Sequence, residues 1–123
     1  MLFFDSNALL WWMDEDPRLG RDLTEQLMEE PSILISFASP WELWIKAAQG
    51  KLRIPRDLEA QLSLGRFEVV APTLVDTRLA ANLPPIHKDP FDRMIVAQAL
   101  NRGAVIVTSD RTLSEYGVET ILV

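Results

Sequence analysis

The stretch LFFDSN, residues 2–7, sets the pattern that decides the fold: a short apolar run, an acid, and the start of a helical segment. Five runs rich in branched or aromatic residues recur along the chain, at Leu2–Phe4, Ile33–Ile35, Phe67–Val70, Ala104–Val107 and Thr120–Val123. They are apolar along their length rather than at every second position, which is typical of strands buried on both faces. We therefore expect these runs to form strands in the interior of the protein.

Helical patterns lie between the strand-like runs, at Asn7–Met13, Leu19–Met28, Pro40–Gln49, Pro55–Leu62, Thr73–Asn82 and Pro90–Arg102. Gly50 and Gly103 follow two of these patterns, where a left-handed residue commonly ends a helix. Alternating strands and helices predict an α/β fold with a mostly parallel sheet covered by helices on both faces. No repeat or linker-like change in composition interrupts the chain, so a single domain over residues 1–123 is expected.

The composition of the chain narrows the kinds of chemistry it can perform. The 123 residues carry a net charge of −6, which gives no sign of a basic surface for nucleic acid. A polyanionic partner would require something that offsets this repulsion. The chain has no cysteine and one histidine, which excludes disulfides, thiolate nucleophiles and the usual Cys/His zinc sites. Its first residues, MLFFD, lack the basic region of a signal peptide and no membrane span is indicated, so we expect a cytoplasmic protein.

Acidic residues stand at the ends of strands and at the starts of helices. Asp5 ends the first strand, and Asp110 follows the strand Ala104–Val107. The tetrapeptides SPWE, Ser39–Glu42, and DPFD, Asp89–Asp92, each combine a capping residue, a proline and an acid with the spacing of a helix start. Taken one at a time, these acids are explained as helix starts that stabilise the fold by about 1 kcal/mol each.

Asp92 and Glu42 also occupy defined positions along their helices. Asp92 lies one turn before Ile95, so its carboxylate heads the apolar stripe that we expect to face the core. A charge beside apolar surface requires a partner, or its pKa rises until the group is neutral. Glu42 lies four residues before Lys46, where a helical Glu–Lys pair is the simple alternative.

Capping does not explain why four acids from four different elements would converge on one end of the sheet, where parallel sheets bind ligands. The four are Asp5, Glu42, Asp92 and Asp110. Like charges at one place repel and raise one another's pKa, so the group is stable as anions only when a multivalent cation shares it. Oxygen ligands without His or Cys favour Mg²⁺ or Mn²⁺ over zinc. The sequence therefore predicts a site for one of these ions.

These residues resemble the PIN-domain nucleases, and more narrowly the VapC-like toxins of bacterial toxin–antitoxin pairs. The matching blocks stand in the family's order and are FFDSNALLWWMDEDPRLG, SPWELWIKAAQGKLRIP, LPPIHKDPFDRMIVAQA and VIVTSD. Only residues 56–82 are weakly diagnostic. The resemblance implies a parallel, roughly five-stranded αβα sandwich that cleaves RNA with a divalent metal, leaving a 5′-phosphate and a free 3′-hydroxyl. It also implies a homodimer and a small antitoxin partner.

The resemblance also implies roles for individual residues. It places the catalytic, metal-binding quartet on the four acids just named, and Thr108 matches the hydroxyl residue that precedes the last acid. Asp89 is common in this subgroup; we interpret it as the N-cap of its helix, with a contact to a second metal through water as a further hypothesis. Many close relatives have Asp-Thr-His where this chain has Asp5, Ser6 and Asn7. Ser6 and Asn7 are therefore candidate supporting residues, and no histidine is available there.

Several other residues carry two interpretations. Lys46 and Arg93 are candidates for holding RNA phosphates beside the metal, or for pairing with acids on exposed helix faces. His87 is expected to be a surface or capping residue, with proton transfer as the alternative. We expect two of the four tryptophans in the core and two on a surface for a partner. They stand in two doublets, Trp11 and Trp12, and Trp41 and Trp44.

Three other functions remain open from the sequence. A PIN-like enzyme of RNA processing, without an antitoxin, would use the same fold and site. A receiver-like signalling domain also binds Mg²⁺ with clustered acids, but it requires paired acids after the first strand and a lysine after the last site strand. Here Asp5 stands alone and Asp110 is followed by Arg111. The third is a binding protein without catalytic activity, in which the acids serve only as helix caps. The leading prediction is the metal-dependent endoribonuclease toxin.

Overall fold

Five strands form one sheet in the computed structural model, which describes residues 1–123. They are β1 (Leu2–Phe4), β2 (Ile33–Ser36), β3 (Phe67–Val70), β4 (Val105–Thr108) and β5 (Thr120–Leu122). Their order across the sheet is β3–β2–β1–β4–β5, and every neighbouring pair is parallel. The predicted α/β fold with a parallel, five-stranded sheet is confirmed, and the predicted strand ends differ by no more than about a residue.

Six α-helices connect the strands. They are α1 (Ser6–Met13), α2 (Arg21–Glu29), α3 (Ala38–Ala48), α4 (Leu58–Leu64), α5 (Leu74–Asn82) and α6 (Pro90–Arg102). Short 3-10 helices lie at Pro17–Leu19 and Arg111–Tyr116. The predicted start of the second helix at Leu19 is wrong, because Gly20, with a φ of 79°, turns the chain before α2 begins. None of the helices has both the length and the apolar character needed to cross a membrane.

Alternate residues of β1 contribute to two separate cores, as the pleat of a strand requires. Leu2 and Phe4 belong to one core, together with residues of α1, α2, α3 and α4. Phe3 belongs to the other core, which includes residues of α6. Because helices cover both faces, every position of the central strand is buried, which accounts for its uninterrupted apolar sequence.

The carboxyl ends of β1, β2 and β4 meet at the centre of the sheet. From β1 the strands proceed outward through β2 to β3, and the chain then returns to the other side of β1 to form β4 and β5. This reversal of strand order creates a crevice at the carboxyl ends of β1 and β4, the usual ligand site of such folds. Asp5 follows β1 directly, and Asp110 follows β4 after a single residue. The fold thus places both acids at that crevice.

The start of α3 corrects the predicted capping box. Ser39 is not the N-cap, because the helix begins at Ala38 and Phe37 already has helical angles, with φ −54° and ψ −28°. The amide of Ala38 instead donates to Oγ of Ser36, the last residue of β2, at 3.0 Å. Ser39 is buried within the first turn, and its hydroxyl has no protein partner. The strand therefore leads directly into the helix, which places Glu42 in the second turn rather than the first.

The start of α6 is as predicted. Asp89 is the N-cap, and its Oδ1 accepts a hydrogen bond from the amide of Phe91 at 2.9 Å. Gly103 ends the helix in the left-handed conformation, with a φ of 62°, and Gly50 follows α3 with a φ of 72°. The cap at Asp89 fixes the direction in which the first turn of α6, and with it Asp92, enters the site.

Candidate active site

Asp5 lies at the centre of the carboxyl edge of the sheet and is buried. Its Oδ1 accepts a hydrogen bond from the amide of Ala8 at 2.8 Å, which caps α1. Its Oδ2 accepts one from the hydroxyl of Thr108 at 2.5 Å, which connects β1 with β4. Burial raises the pKa of Asp5; the two hydrogen bonds oppose that rise, and the charges of Asp110 and Glu42 add to it. Thr108, predicted as a supporting residue, thus contacts Asp5 directly.

Glu42 is tied to α1 by the hydroxyl of Ser6. Ser6 Oγ donates to Oε1 of Glu42 at 2.7 Å, and both residues are buried. Oε2 of Glu42 lies 3.0 Å from Nζ of Lys46, one turn further along α3, so the predicted Glu–Lys helical pair is present. Ser6 therefore contacts the acid group, whereas Asn7 is exposed to solvent.

Asp92 projects from the third residue of α6, and its side chain is 21% exposed. Burial, followed by the charges of Asp89 and Glu42, raises the pKa of Asp92 to about 7. A cation placed among these carboxylates would favour the ionised form of Asp92. Near neutral pH, the charge of Asp92 therefore depends on a bound cation.

Asp110 behaves differently from Asp5 and Asp92. Its Oδ1 accepts hydrogen bonds from both the amide and the hydroxyl of Thr112, at 2.9 and 2.6 Å, and so caps the second 3-10 helix. Burial would raise the pKa of Asp110, but the hydrogen bonds from Thr112, together with the hydrogen bond and charge of His87, outweigh it and hold the pKa below its ordinary value. The expectation that clustering raises the pKa of each acid agrees with Asp5 and Asp92 and is wrong for Asp110.

His87 contacts two of the acids, a role that sequence reasoning missed. Its Nε2 lies 3.0 Å from Oδ2 of Asp110 and 3.3 Å from Oδ2 of Asp92. Its Nδ1 accepts a hydrogen bond from the amide of Asp89 at 3.1 Å. The only available signal was its position two residues before the helix N-cap, from which a ring can fold back over the helix start. His87 is therefore part of the site and not simply a surface residue.

Arg93 is engaged by the backbone that precedes α6. Both terminal nitrogens of its guanidinium donate, over 2.8–3.2 Å, to carbonyl oxygens at the end of α5 and in the following loop, those of Ala80, Leu83, Pro84 and His87. Arg93 has no acid partner, so the predicted pairing on an exposed helix face is wrong. Since both terminal nitrogens are occupied, we also expect no phosphate contact from this residue. Its role in the structure is to clamp the loop that carries His87.

The four tryptophans divide into two pairs. Trp11 and Trp12 are partly buried and pack against the core beneath α1. Trp41 and Trp44 on α3 are 61% and 44% exposed. The ring of Trp41 meets that of Phe91 edge-on, with centroids 5.2 Å apart. The predicted division into two core and two surface tryptophans agrees with the structure, and the exposed pair lies on the same helix as Glu42.

The donor set suits a divalent cation with oxygen ligands. Oxygens of Asp92 and Asp110 lie with Nε2 of His87 within 4.8 Å of one another. Asp5 and Glu42 are not part of this close cluster, but their charges act on Asp92, and the charge of Asp110 acts on Asp5. Carboxylate oxygens are the ligands that Mg²⁺ and Mn²⁺ prefer, and the raised pKa of Asp92 marks where positive charge is lacking.

We expect Arg93→Ala to lower the free energy of unfolding by roughly 3 kcal/mol, because it leaves several backbone carbonyls without their charged donor. Chemical denaturation of the purified protein measures the change. Arg21→Ala is the control, since Arg21 makes only an exposed pair with Glu25 and its loss should have little effect. An Arg93→Ala protein of unchanged stability but weaker RNA binding would restore the phosphate role.

We expect Asp92→Asn to stabilise the protein in EDTA, by an amount that depends on pH. The folded-state pKa of Asp92, about 7, lies above its ordinary value of 3.8. The contribution of the protonated Asp92 carboxyl to the free energy of unfolding is thus fully present below about pH 4. It is lost as the pH rises through about 7. Urea unfolding at about pH 5 and about pH 8 should show the larger gain for Asp92→Asn at the higher pH. A gain that is equal at both would contradict the assigned environment of Asp92.

Known proteins share this fold and sequence pattern. The model of the PIN domain family matches residues 2–119. The chain is 27% identical over 120 residues to Ribonuclease VapC22 of Mycobacterium tuberculosis, covering 94% of this chain and 91% of that protein. It superposes on VapBC2 from Rickettsia felis bound to a fragment of promoter DNA, with a TM-score of 0.73 and 17% identity, covering 99% of this chain and 98% of that one. A toxin–antitoxin complex from Klebsiella pneumoniae gives a TM-score of 0.62 and 18% identity, covering 89% of this chain and 87% of that one. This chain therefore belongs to the PIN-domain family.

Proposed function

We propose that this protein, as a single domain of residues 1–123, is an endoribonuclease that requires Mg²⁺ or Mn²⁺ and acts as the toxin of a toxin–antitoxin pair. The observation that carries the proposal is the gathering of acids from the ends of β1 and β4 and from α3 and α6 into one electrostatic group at the carboxyl edge of the sheet. Such a group binds a divalent cation and, through it, a phosphate.

The metal ligands and catalytic residues in this proposal are Asp5, Glu42, Asp92 and Asp110. Supporting residues hold two of these acids in place: Thr108 donates to Asp5, and Ser6 donates to Glu42. Asp89 acts mainly as the N-cap that directs the first turn of α6. Its charge also helps to raise the pKa of Asp92, so it lies close enough to influence a cation there.

The reaction is hydrolysis of an RNA phosphodiester by water. Water attacks the phosphorus in line with the leaving oxygen, the bond from phosphorus to O3′ breaks, and the products carry a 5′-phosphate and a 3′-hydroxyl. When bound, the cation supplies the positive charge that acidifies the attacking water and offsets the negative charge of the phosphate. The attacking water gives its proton to a carboxylate of the site, and the leaving oxygen takes one from solvent. Because water attacks directly, no side-chain nucleophile is needed. This agrees with the absence of cysteine and with the Ser6 hydroxyl, which donates to Glu42.

Binding of RNA must overcome a net charge of −6 on the protein. A cation at the four acids would offset part of their negative charge and offer a direct positive contact where the scissile phosphate has to lie. Lys46, with a side chain 43% exposed, adds a positive charge beside Glu42. It is therefore our candidate for a contact with a neighbouring phosphate.

The toxin role and the partners are supported by the relatives. One relative is named a ribonuclease and another is a toxin–antitoxin complex. On this chain, the exposed rings of Trp41 and Trp44 form, with Phe91 and Met94, part of a groove of about 960 Å³. Trp41 lies on α3 with Glu42, and Phe91 lies on α6 with Asp92, so the groove and these two acids share the same helices. We propose that a second copy of the chain and an antitoxin segment cover this aromatic surface.

We expect the purified protein to cleave single-stranded RNA with Mn²⁺ or Mg²⁺ and to lose that activity in EDTA. Asp92→Asn should reduce cleavage by about 100-fold or more, because a ligand to the cation is lost. Asp22→Asn is the matched control, an exposed aspartate in the first turn of α2 that should leave cleavage unchanged. Normal cleavage by a folded Asp92→Asn protein would place the active site elsewhere.

We expect induced expression to arrest growth, and co-expression of a short open reading frame beside the gene to relieve the arrest. The physical reason is that an antitoxin covering the aromatic groove on α3 and α6 would hinder the approach of RNA to the acids carried by the same helices. Growth is the measurement, and Asp92→Asn is the control that should not arrest it. Expression without arrest, from a protein that cleaves RNA in vitro, would instead favour an RNA-processing enzyme without an antitoxin.

A further inference from the structure

The imidazole of His87 contacts the carboxylates of two of the acids at once. Its Nε2 lies 3.0 Å from Oδ2 of Asp110 and 3.3 Å from Oδ2 of Asp92. Asp92 lies in α6 and Asp110 follows β4, so the ring connects two separate elements. Two carboxylates that face one nitrogen need a donor between them, which makes the location of the ring proton decisive.

The amide of Asp89 locates that proton. A backbone amide can only donate, and this one lies 3.1 Å from Nδ1 of His87. Nδ1 must then accept, so the ring proton resides on Nε2, the nitrogen that faces the two carboxylates. Both sides of the ring are thereby satisfied, by a donor at Nδ1 and by acceptors at Nε2.

The direction of the ring is set by the fold and not by the acids. The amide of His87 donates to the hydroxyl of Tyr116 at 2.7 Å, and its carbonyl accepts from the guanidinium of Arg93 at 3.2 Å. Together with the bond from Asp89 to Nδ1, these contacts fix His87 from its backbone and from the far side of its ring. Its side chain is only 22% exposed, so little room is left for another orientation.

We propose that His87 is a positioning residue that sets the separation of Asp92 and Asp110 through its Nε2–H group, and that it is not a ligand of the metal. The inference rests on the proposed function, because it concerns how this chain prepares its carboxylates for the cation. A ligand nitrogen must present its lone pair, so a metal at Nε2 would force the proton to Nδ1. There it would face the amide of Asp89 donor to donor, and a buried hydrogen bond would be replaced by a repulsive contact.

The first test compares His87→Leu with His87→Gln in binding Mn²⁺, measured by electron paramagnetic resonance of the free ion in the absence of RNA. Leucine removes the donor, and we expect the affinity for Mn²⁺ to fall by about 10- to 100-fold. Glutamine retains an N–H donor near the position of Nε2, and we expect an affinity within about threefold of the wild type. Equal affinity in the wild type and in a folded His87→Leu protein would overturn the positioning role.

The second test determines which nitrogen of the His87 ring carries the proton. His87 is the only histidine in the chain, so the nitrogen NMR spectrum of the labelled protein contains a single imidazole. We expect the Nε2–H form both without metal and with saturating Mg²⁺. Transfer of the proton to Nδ1 on addition of Mg²⁺ would identify His87 as a ligand and overturn the proposal.

These outcomes separate the two levels of inference. A wild-type protein that binds neither ion would overturn the metal site, and with it any role of His87 toward a metal. Metal binding and RNA cleavage that are both retained in His87→Leu would leave the proposed function intact and overturn the role of His87 alone. Weaker binding in His87→Leu, recovery in His87→Gln and a constant Nε2–H form would establish His87 as a positioning residue.

Discussion

Repulsion among the carboxylates at the carboxyl edge of the sheet is the constraint on which the polar interior of this protein depends. The structure meets it with hydrogen-bond donors placed beside the acids. Asp5 accepts from the amide of Ala8 and the hydroxyl of Thr108, and Asp110 accepts from Thr112. Because these donors come from the acids' own elements and from their neighbours, the hydrogen bonds that hold the charges apart also connect β1, β4 and the helices around them. The same group of bonds thus stabilises the fold and arranges the site.

Capping and catalysis are complementary uses of the same acids. Asp5 and Asp110 each use Oδ1 to cap the helical segment that follows, while Oδ2 of Asp5 accepts from Thr108 and Oδ2 of Asp110 contacts His87. Asp89 caps α6 and so determines where Asp92, in the first turn, projects. A helix start is rigid because its amides point at the cap, and it therefore directs a ligand more accurately than a mobile loop does. This is why the acids of the site could each be explained structurally from the sequence.

The parts of the site that follow from local patterns were predictable, and the parts that depend on loop geometry were not. Apolar runs and a parallel topology were sufficient to predict that the ends of β1 and β4 would carry their acids to one crevice. The cap at Asp89 follows from three neighbouring letters of sequence. The contact of His87 with Tyr116 spans 29 residues and depends on the path of the loop before α6, which Arg93 holds through backbone carbonyls that have no sequence signature. The capping box predicted at Ser39 is wrong for a similar reason. Ser36, at the end of β2, accepts the hydrogen bond from the amide of Ala38, so the helix starts before Ser39.

Asp92 shows how this arrangement couples stability to the ligand. Asp5 and Asp110 have backbone donors that favour their charged forms, whereas the nearest donor to Asp92 is the Nε2–H group that it shares with Asp110. Burial and the charges of Asp89 and Glu42 therefore act on it largely unopposed, which is why its pKa rises to about 7. A cation would supply the missing counter-charge, and any ligand that binds only the folded state stabilises that state by mass action. The ionised carboxylate of Asp92, which opposes folding without a cation, would consequently be stabilised by a cation bound beside it.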